Sequence, residues 1–510
     1  MSGLTSAVNA ALSGIDAFED GVQTVSTNIS NETTDGYALR TLETETSAAG
    51  SGAAGSGVIN PAAVQRAADG LAVARFNGAT SATAAAGTLS AALSAVSGAL
   101  QGNGDINGAA STFFGDLGTL ASEPTNATQA ATTMADAENL VAAFHAAASG
   151  LQSQSDGAVQ SLQQSVASAN QLLSQLAVIN GKLRASPDDN SLLDQQQQAL
   201  GSLSKLIGFR TVPLGAGAIE VTVNGVVLLD QSGVQPLSLA QPGPSSAPVL
   251  TVGAASVAVD PTSTSGSIGG GLAAFRAARD ALSSTDWFAA SLAGSVNKAQ
   301  AEGLDGNGEQ GGAIFAVPPP EVTAGASNTG SATLNVSVTN AADLPSNGSG
   351  YALSYNGTGW TATVPGTEVS YSLGAGPTLS PPGLAIAVSG TATAGDTFVV
   401  EPTPGAASSI SLTATTPSVL ATADPYVAST GVVSASGVVT DSNAGSEKEL
   451  SGDVVAAPAA GATVIPAAYF GEPLTVTFTS SGAYDVVDAV WATVASGTWT
   501  NGTSVAIAYP

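Results

Sequence analysis

Residues 4–40 read LTSAVNAALSGIDAFEDGVQTVSTNISNETTDGYALR. Apolar side chains recur in this stretch at alternating spacings of three and four, the a and d pattern of a coiled-coil helix: Val8, Ala11, Ile15, Phe18, Val22, Val25 and Ile29. Acidic residues lie off the stripe, so the apolar face is narrow. Because a single helix cannot bury such a face against itself, the pattern predicts a helix that packs on a second helix or docks on a globular core.

The length and composition of the chain indicate several small domains. A chain of 510 residues is too long for one ordinary core, so three or four domains are expected. Hydrophobic residues make up 44% of the chain, yet only 5% of its residues are aromatic. Much of the apolar content is alanine, so closely packed Ala-rich helices and thin sheets are expected.

The charge balance and the absence of cysteine exclude several function classes. Asp and Glu number 38 against 11 Lys and Arg, and the formal charge is −27. So acidic a chain does not bind a phosphate backbone or anionic lipid through charge. Without cysteine, disulfides, thiolate metal sites and cysteine nucleophiles are excluded. No cleavable signal and no run of 18 apolar residues is visible, so no membrane contact is expected.

The middle of the chain has a helical period. The stretch 47–57 is rich in Ala, Gly and Ser and is predicted to be a connector. A helix is predicted to begin near Pro61, since proline suits a first turn. The longest helical pattern runs from Thr125 to Leu183, with buried heptad positions that include Leu173 and Leu176. Pro187 to Asn190 predicts a turn and the start of an antiparallel partner helix.

From Phe209 the period changes to two, which predicts strands. Asn224-Gly225 is a strong hairpin signal. A further strand pair is predicted between Val249 and Val259, and a helix is predicted to follow Gly266. Beyond Pro318 the sequence is rich in Thr, Val, Gly and Pro without a helical period, which indicates β structure.

The segment after the first helix resembles a known signature. Asn28-Ile29-Ser30-Asn31, then Thr33 to Tyr37 with Gly36-Tyr37, then Arg40, is similar to the N-terminal motif of the flagellar axial protein family. Gly-Tyr with a nearby Arg is most similar to the hook-associated members of that family, which form the hook–filament junction. In those members the Arg follows the aromatic residue by two positions, and here Arg40 follows Tyr37 by three.

Three later stretches resemble the same family. They are Asn190-Ser191-Leu192-Leu193-Asp194-Gln195, the glycine-rich segment 266–270 with the helix after it, and 305–308 followed by Phe315. The resemblance therefore spans roughly residues 1–317. Where family members often have Arg after the Asp-Gln pair, this chain has Gln196, so an ion pair is expected to be missing.

The resemblance and the patterns together predict an α+β multidomain fold. It is expected to be elongated, with a helical coiled-coil or bundle N-terminal half that carries inserted β-hairpins, followed by β-rich outer domains. Four domains are predicted: 1–60, an axial helix and linker of the inner-tube type; 61–317, a helical bundle with a β-hairpin insertion near 209–262; 318–440, an outer β domain; and 441–510, a second and incomplete β module.

The resemblance implies a structural, non-enzymatic subunit of the bacterial flagellum that joins hook and filament and assembles through its terminal helices. Its expected partners are further copies of itself in a ring or helical tube, hook protein, other hook-associated proteins and an export chaperone that binds a C-terminal region; no nucleic acid and no membrane are expected. It is expected outside the cell, exported by the flagellar type III apparatus without a cleaved signal peptide. The predicted assembly interface comprises Val8, Ile15, Phe18, Val22, Val25, Asn28, Ile29, Asn31, Gly36, Tyr37 and Arg40.

Two alternatives stay open at this stage. One is a rod- or hook-type axial protein, which the length of the helical middle disfavours. The other is a secreted β-rich adhesin or surface-layer protein, which has no need of the heptad N-terminus. Signals for chemistry are poor: no catalytic, cofactor or metal residue is predicted. Asp305 to Glu309 resembles part of a calcium loop but lacks the closing acid, and His145, the one histidine, is expected to flank a packed seam.

Two β blocks near the C-terminus look related. Tyr351 to Tyr355 with Trp360 is similar to Leu474 to Phe478 with Trp499. The first block is expected to close with a turn and strand at 391–398, and the second has no such segment. Together with the lack of a C-terminal heptad pattern, this predicts a chain that continues beyond Pro510 into a closing strand and an amphipathic helix.

Overall fold

The computed structural model describes most of the chain. The described residues are 2–34, 36–47, 58–67, 69–102, 105–241, 246–305, 310–413, 415–422, 432–433, 439–440, 463–466, 469, 473–479, 482–500, 505 and 507–508. They divide between two compact units: Met1–Val96 with Gln152–Arg279, called the first unit below, and Ser97–Leu151 with Asp280–Pro510, called the second unit.

The helices contain most of the first 300 residues. They are α1 (Ser2–Ser30), α2 (Gly70–Gln101), α3 (Ile106–Ser122), α4 (Ala127–Ala185), α5 (Asn190–Leu206), α6 (Gly266–Ala301) and the short α7 (Ala406–Ser409). The long helix predicted from Thr125 to Leu183 is confirmed by α4. At the predicted turn after it, Asp189 accepts hydrogen bonds from the backbone N–H groups of Ser191 and Leu192, at 2.9 and 3.2 Å, and so caps α5.

The strands follow the helical segments and fill the C-terminal part. They are β1 (Arg40–Ser47), β2 (Val58–Arg66), β3 (Arg210–Gly215), β4 (Ala218–Val223), β5 (Val226–Leu229), β6 (Leu237–Ala240), β7 (Val249–Val252), β8 (Val257–Ala258), β9 (Phe315–Ala316), β10 (Glu321–Ala324), β11 (Thr333–Val338), β12 (Tyr351–Tyr355), β13 (Trp360–Thr363), β14 (Ser370–Leu373), β15 (Thr378–Leu379), β16 (Leu384–Ser389), β17 (Thr397–Glu401), β18 (Ser411–Leu412), β19 (Val432–Val433), β20 (Val439–Thr440), β21 (Thr463–Val464), β22 (Thr475–Phe478), β23 (Ala483–Val487), β24 (Thr493–Thr498) and β25 (Ile507–Ala508). The predicted α+β fold, helical first and β-rich later, is confirmed.

The prediction of a helix near Pro61 is wrong. Residues 58–66 form β2, which pairs antiparallel with β1, and α2 begins at Gly70. The ladder is irregular next to the proline: Glu43 pairs with Ala63 and Thr44 with Pro61, so Ala62 is the extra residue of a bulge. Proline, which has no N–H to donate, occurs within strands at such bulges and on edge strands. The local first-turn preference of proline was therefore overridden by strand pairing with β1.

The core of the first unit lies between α4, α5, α6 and two small sheets. Leu173 and Leu176, the predicted heptad positions, are fully buried and pack in one cluster with Val221 and Leu272. The sheets have the strand orders β3-β4-β5 and β6-β7-β8. The predicted hairpin at Asn224-Gly225 is confirmed by β4 and β5, since both turn residues have the positive φ of a tight hairpin, 49° and 83°.

The core of the second unit joins α3, the first part of α4 and the later part of α6 to β strands. Its five-stranded sheet has the order β10-β17-β12-β13-β14, and a three-stranded sheet has the order β11-β16-β15. The predicted closing strand of the first β block is confirmed, because β17 pairs with β12. Tyr351 is fully buried in this core, and burial raises the pKa of its phenol to about 12.

The second β block forms the three-stranded sheet β22-β23-β24. The ring of Phe478 lies 5.9 Å from that of Tyr484 and 5.1 Å from that of Trp499. The proposed four-domain division stays a prediction; its first boundary, residue 60, lies inside β2, and most of 423–462 lies outside the described residues.

Among the described residues, the stretch Gly70–Ser122, which contains α2 and α3, is long and apolar enough to meet a hydropathy criterion for a membrane span. Helices of soluble proteins meet the same criterion, so this stretch does not by itself indicate a membrane protein.

Candidate assembly interface

The predicted a and d face of α1 is exposed to solvent. Each of its large apolar side chains is more than half exposed, as is Leu12 beside it, and Phe18 reaches 80%; with Leu12 the set is Val8, Leu12, Ile15, Phe18, Val22, Val25 and Ile29. A contiguous row of large apolar side chains on a surface marks a site of interaction. The exposed row is called the seam below.

The opposite face of α1 packs on the hairpin formed by β1 and β2. Ala17 and Thr24 are buried on this side, and Leu42 of β1 approaches Gly21. The hydroxyl of Thr24 donates to the carbonyl of Asp20 at 2.7 Å, so burial leaves no unpaired hydroxyl. The hairpin therefore covers the less apolar face and leaves the seam open.

Asn28 fixes the chain where it returns from α1 to β1. Its Oδ1 accepts hydrogen bonds from the Tyr37 hydroxyl at 2.7 Å and from the Arg40 backbone N–H at 2.9 Å. Its Nδ2 donates to the Arg40 carbonyl at 2.9 Å. The carboxamide thus satisfies both backbone groups of Arg40. An Asn suits this position because its carboxamide presents an N–H donor and a carbonyl acceptor side by side, as a backbone peptide group does.

The turn between them is closed by Asn31 and Gly36. Asn31 Nδ2 donates to the Thr27 carbonyl at 2.9 Å, and the backbone N–H of Asn31 donates to the same carbonyl at 3.2 Å, so both groups of Asn31 close the last turn of α1. Gly36 has φ +82°, and a Cβ added there would lie 3.0 Å from the backbone nitrogen of Gln198 on α5. Both the backbone conformation and the approach to α5 require glycine.

Arg40 links the turn to α5. Its guanidinium carbon lies 5.2 Å from the centre of the Tyr37 ring, a cation–π distance. Its Nη2 lies 3.0 Å from Asp194 Oδ2. The other carboxylate oxygen, Oδ1, lies 2.9 Å from Arg66 Nε at the end of β2. Asp194 therefore pairs with two arginines.

Gln196 makes hydrogen bonds in place of the ion pair that was expected to be missing. It is buried, and its Nε2 donates to Asn180 Oδ1 and to the Gly217 carbonyl, both at 3.1 Å. Asn180 in turn bonds both backbone groups of Ile219, at 2.7 and 3.2 Å. This neutral network ties α4 and α5 to β4, so the Gln is accommodated without an unpaired charge.

The structure separates the predicted interface residues into two sets. Asn28, Asn31, Gly36, Tyr37 and Arg40 meet at the C-terminal end of α1 and form a joint. The apolar residues line the seam, and Ile29 lies on it next to the joint.

Asp194, Arg66 and Gln198 were missed as contact residues of the joint. The Asn190–Gln195 resemblance contained Asp194, but its partners are more than 120 residues away in sequence, and no local pattern shows such a contact.

Other groups that could carry chemistry are engaged structurally. His145 Nε2 lies 2.8 Å from the Ile410 carbonyl. No cluster of three or more His, Asp or Glu side chains that could hold a metal ion occurs among the described residues. Most of the calcium-like stretch, residues 306–309, lies outside them.

Two family models match the chain and together cover more than half of it. Residues 93–315 match the helical domain of flagellar hook-associated protein FlgK. Residues 323–402 match the D2-like domain of flagellar hook-associated protein 1.

Individual relatives agree with these matches. Flagellar hook-associated protein 1 of Salmonella typhimurium strain LT2 is 26% identical over 422 residues, which are 78% of this chain and 75% of the relative. The Escherichia coli K12 protein of that name is 24% identical over 418 residues, 78% and 76% of the two chains. The solved structure of the flagellar hook junction protein FlgK from Burkholderia pseudomallei is 27% identical, with a TM-score of 0.65 over 86% of this chain and 84% of that one.

Proposed function

Because the chain belongs to the family of flagellar hook-associated protein 1 and is a structural component of the hook–filament junction, we propose that it assembles there through the seam of α1. Its role is mechanical rather than catalytic. The partners of the seam are helices of neighbouring axial subunits, in a ring or helical tube of further copies and in contact with hook protein and other hook-associated proteins.

The observation that carries the proposal is the exposure of the seam. Burial of one such side chain stabilises an interface by about 1.5–3 kcal/mol, so an exposed row of them is unfavourable in an isolated subunit. The alternating spacing of three and four is the one that inserts side chains between those of a second helix. Both features fit a surface that is exposed before assembly and buried after it.

The joint gives the seam its direction. Asn28 and Gly36 hold the return of the chain from α1 to β1, and Arg40 links that return to Asp194 on α5. An assembly helix contributes to affinity only if it is presented in an orientation that its partners can meet. We assign the predicted interface residues of the joint to this supporting role and those of the seam to direct contact.

The location follows from the family. An axial component of the flagellum lies outside the cell, and we propose that this chain is exported unfolded without cleavage of an N-terminal signal. The lack of cysteine fits that route, because no disulfide forms before or after export. Binding of an export chaperone stays a prediction.

The proposal is tested with two adjacent substitutions on α1. Val22→Asp places a charge on the seam, and Gln23→Asp adds the same charge to an exposed neighbour. Both residues are exposed, so neither substitution is expected to disturb folding, and a difference between the two variants would reflect assembly. Each variant replaces the native gene in the source bacterium, and swimming and the incorporated subunit in purified hook–basal bodies are measured.

The Val22→Asp subunit is expected in the culture medium but not in the hook–basal body, and the cells are expected to be non-motile. The Gln23→Asp strain is expected to swim normally. Equal incorporation of the two variants would refute the assignment of the seam.

A further inference from the structure

We propose that Asp194 is the positioning residue that holds the N-terminal arm at a fixed angle on α5. The arm is α1, the turn 31–39, β1 and β2. The ion pairs of Asp194 with Arg40 and Arg66, called the clamp below, are a property of the isolated chain. Only the role of the arm in assembly rests on the proposed function.

The clamp is built from three segments that meet at one carboxylate. Asp194 Oδ2 lies 3.0 Å from Arg40 Nη2 and Oδ1 lies 2.9 Å from Arg66 Nε. Arg66 Nη2 also donates to the Gly36 carbonyl at 3.2 Å. The first residue of β1, the last residue of β2 and the turn are thus joined to α5 through one side chain.

The register of the hairpin makes this carboxylate necessary. Arg40 and Arg66 are directly opposite each other in the β1–β2 ladder. Like charges at such positions repel and destabilise the pair. Both guanidiniums are largely buried, with side-chain exposures of 23% and 14%, so water screens their repulsion only in part. Asp194 converts this repulsion into a bridge, and it lies on α5 rather than on the hairpin.

Neutral contacts of the same region support the bridge but do not replace it. Asn190 Nδ2 donates to the Val64 carbonyl of β2 at 2.8 Å, and Gly36 lies against the backbone of Gln198. Without Asp194 these contacts would have to hold two adjacent and largely buried cations, Arg40 and Arg66, against α5. An unpaired buried charge costs more than a neutral hydrogen bond returns. Removal of the Asp194 carboxylate therefore frees Arg40 and Arg66, at the ends of β1 and β2, from α5. Because α1 packs on this hairpin, α1 is expected to move together with it.

The test measures the arm angle directly. The chain has no cysteine, so Ser26→Cys on α1 and Gln175→Cys on α4, both exposed, give two unique spin-label sites. The distance distribution between the labels is recorded by double electron–electron resonance on the full chain. The variants are Asp194→Asn and, as a control with the same change of charge, Asp188→Asn in the exposed turn before α5.

The parent chain and Asp188→Asn are expected to give one narrow distance peak. Asp194→Asn is expected to lose that peak and give a broad distribution, with the helix content by circular dichroism unchanged. Asp194→Glu, which restores the carboxylate, is expected to recover a single peak; a role in shape alone would not be rescued by the longer side chain. If Asp194→Asn fails to fold, Arg66→Gln is measured in its place and is expected to broaden the peak.

A distribution for Asp194→Asn, or for the substitute Arg66→Gln, as narrow as that of Asp188→Asn would overturn the clamp. A distance distribution for Asp194→Glu as broad as that for Asp194→Asn would also overturn it. Because the measurement needs no hook or filament, its failure would leave the motility result for the seam variants untouched, and the reverse also holds.

Discussion

The side chain of Asn28 pairs with the backbone of Arg40 as one strand residue pairs with another. Its Nδ2 donates to the Arg40 carbonyl and its Oδ1 accepts from the Arg40 N–H, both at 2.9 Å. The end of a helix and the start of a strand are thereby held together without a regular ladder. Since the same Oδ1 also accepts from Tyr37, three hydrogen bonds of the joint depend on one amide.

Asn28→Ala is expected to loosen the joint. It leaves the partly buried backbone groups of Arg40 unpaired, which costs about 1–3 kcal/mol. The amide of Arg40 should then exchange its hydrogen faster, by about tenfold for each 1.4 kcal/mol. Asn9→Ala, the same substitution at an exposed position of α1, is the control and should leave that exchange rate unchanged. Equal exchange rates in the two variants would contradict the role given to Asn28.

Two Gly→Ala substitutions in the arm are expected to have opposite effects. Gly36→Ala introduces a Cβ at φ +82° and 3.0 Å from the backbone of Gln198, so it should destabilise the first unit by about 1–2 kcal/mol. At Gly14 a Cβ would meet nothing within 4 Å, and Gly14→Ala should stabilise α1 by about 0.5–1 kcal/mol. Thermal unfolding of both variants measures this; a stabilising Gly36→Ala would mean that the turn adopts another conformation.

Leu173→Asp is expected to unfold the first unit. Leu173 is fully buried on α4, and placing a carboxylate there costs several kcal/mol, on the order of the whole stability of a domain. Val178→Asp, on the same helix at a position 59% exposed, is the matched control and should melt like the parent. Calorimetry should show that a β transition from the second unit survives in Leu173→Asp; loss of every transition would show that the units unfold together.

The sheet that contains β17 is expected to lose stability in acid through Asp396. Its carboxylate accepts hydrogen bonds from the backbone N–H groups of Thr393, Thr329 and Gly330, and these bonds lower its pKa. A lowered folded-state pKa means that the stabilisation is complete above the unfolded value of about 3.9 and is lost as the pH falls below it through the folded value.

Asp396→Asn should therefore be less stable than the parent at neutral pH, and the difference should shrink as the pH falls below the unfolded value. Denaturant unfolding from pH 7 to pH 2 measures the difference. Glu401→Gln, at an exposed position of β17, is the control. A difference between Asp396→Asn and the parent that stays constant with pH would exclude the carboxylate as the cause.

Patterns with a short period were predicted well because their cause is local. The seam, the long helix α4, the buried Leu173 and Leu176 and the hairpin at Asn224-Gly225 all follow from side-chain spacing or from turn residues that allow positive φ. The helix expected at Pro61 failed for the complementary reason. Residues 58–66 form a strand that is stabilised by pairing with β1. The conformational preference of a single proline contains no information about that pairing.

By itself, the sequence determined that the stretch from Val8 to Ile29 is helical with one apolar stripe, because the 3.6-residue period sorts side chains onto faces without reference to the rest of the chain. Only the tertiary structure decided which face the hairpin covers, and that Asp194 lies between Arg40 and Arg66. The ion pairs of Asp194 join residues more than 120 positions apart, and the energies of both choices come from burial and charge pairing that exist only after folding.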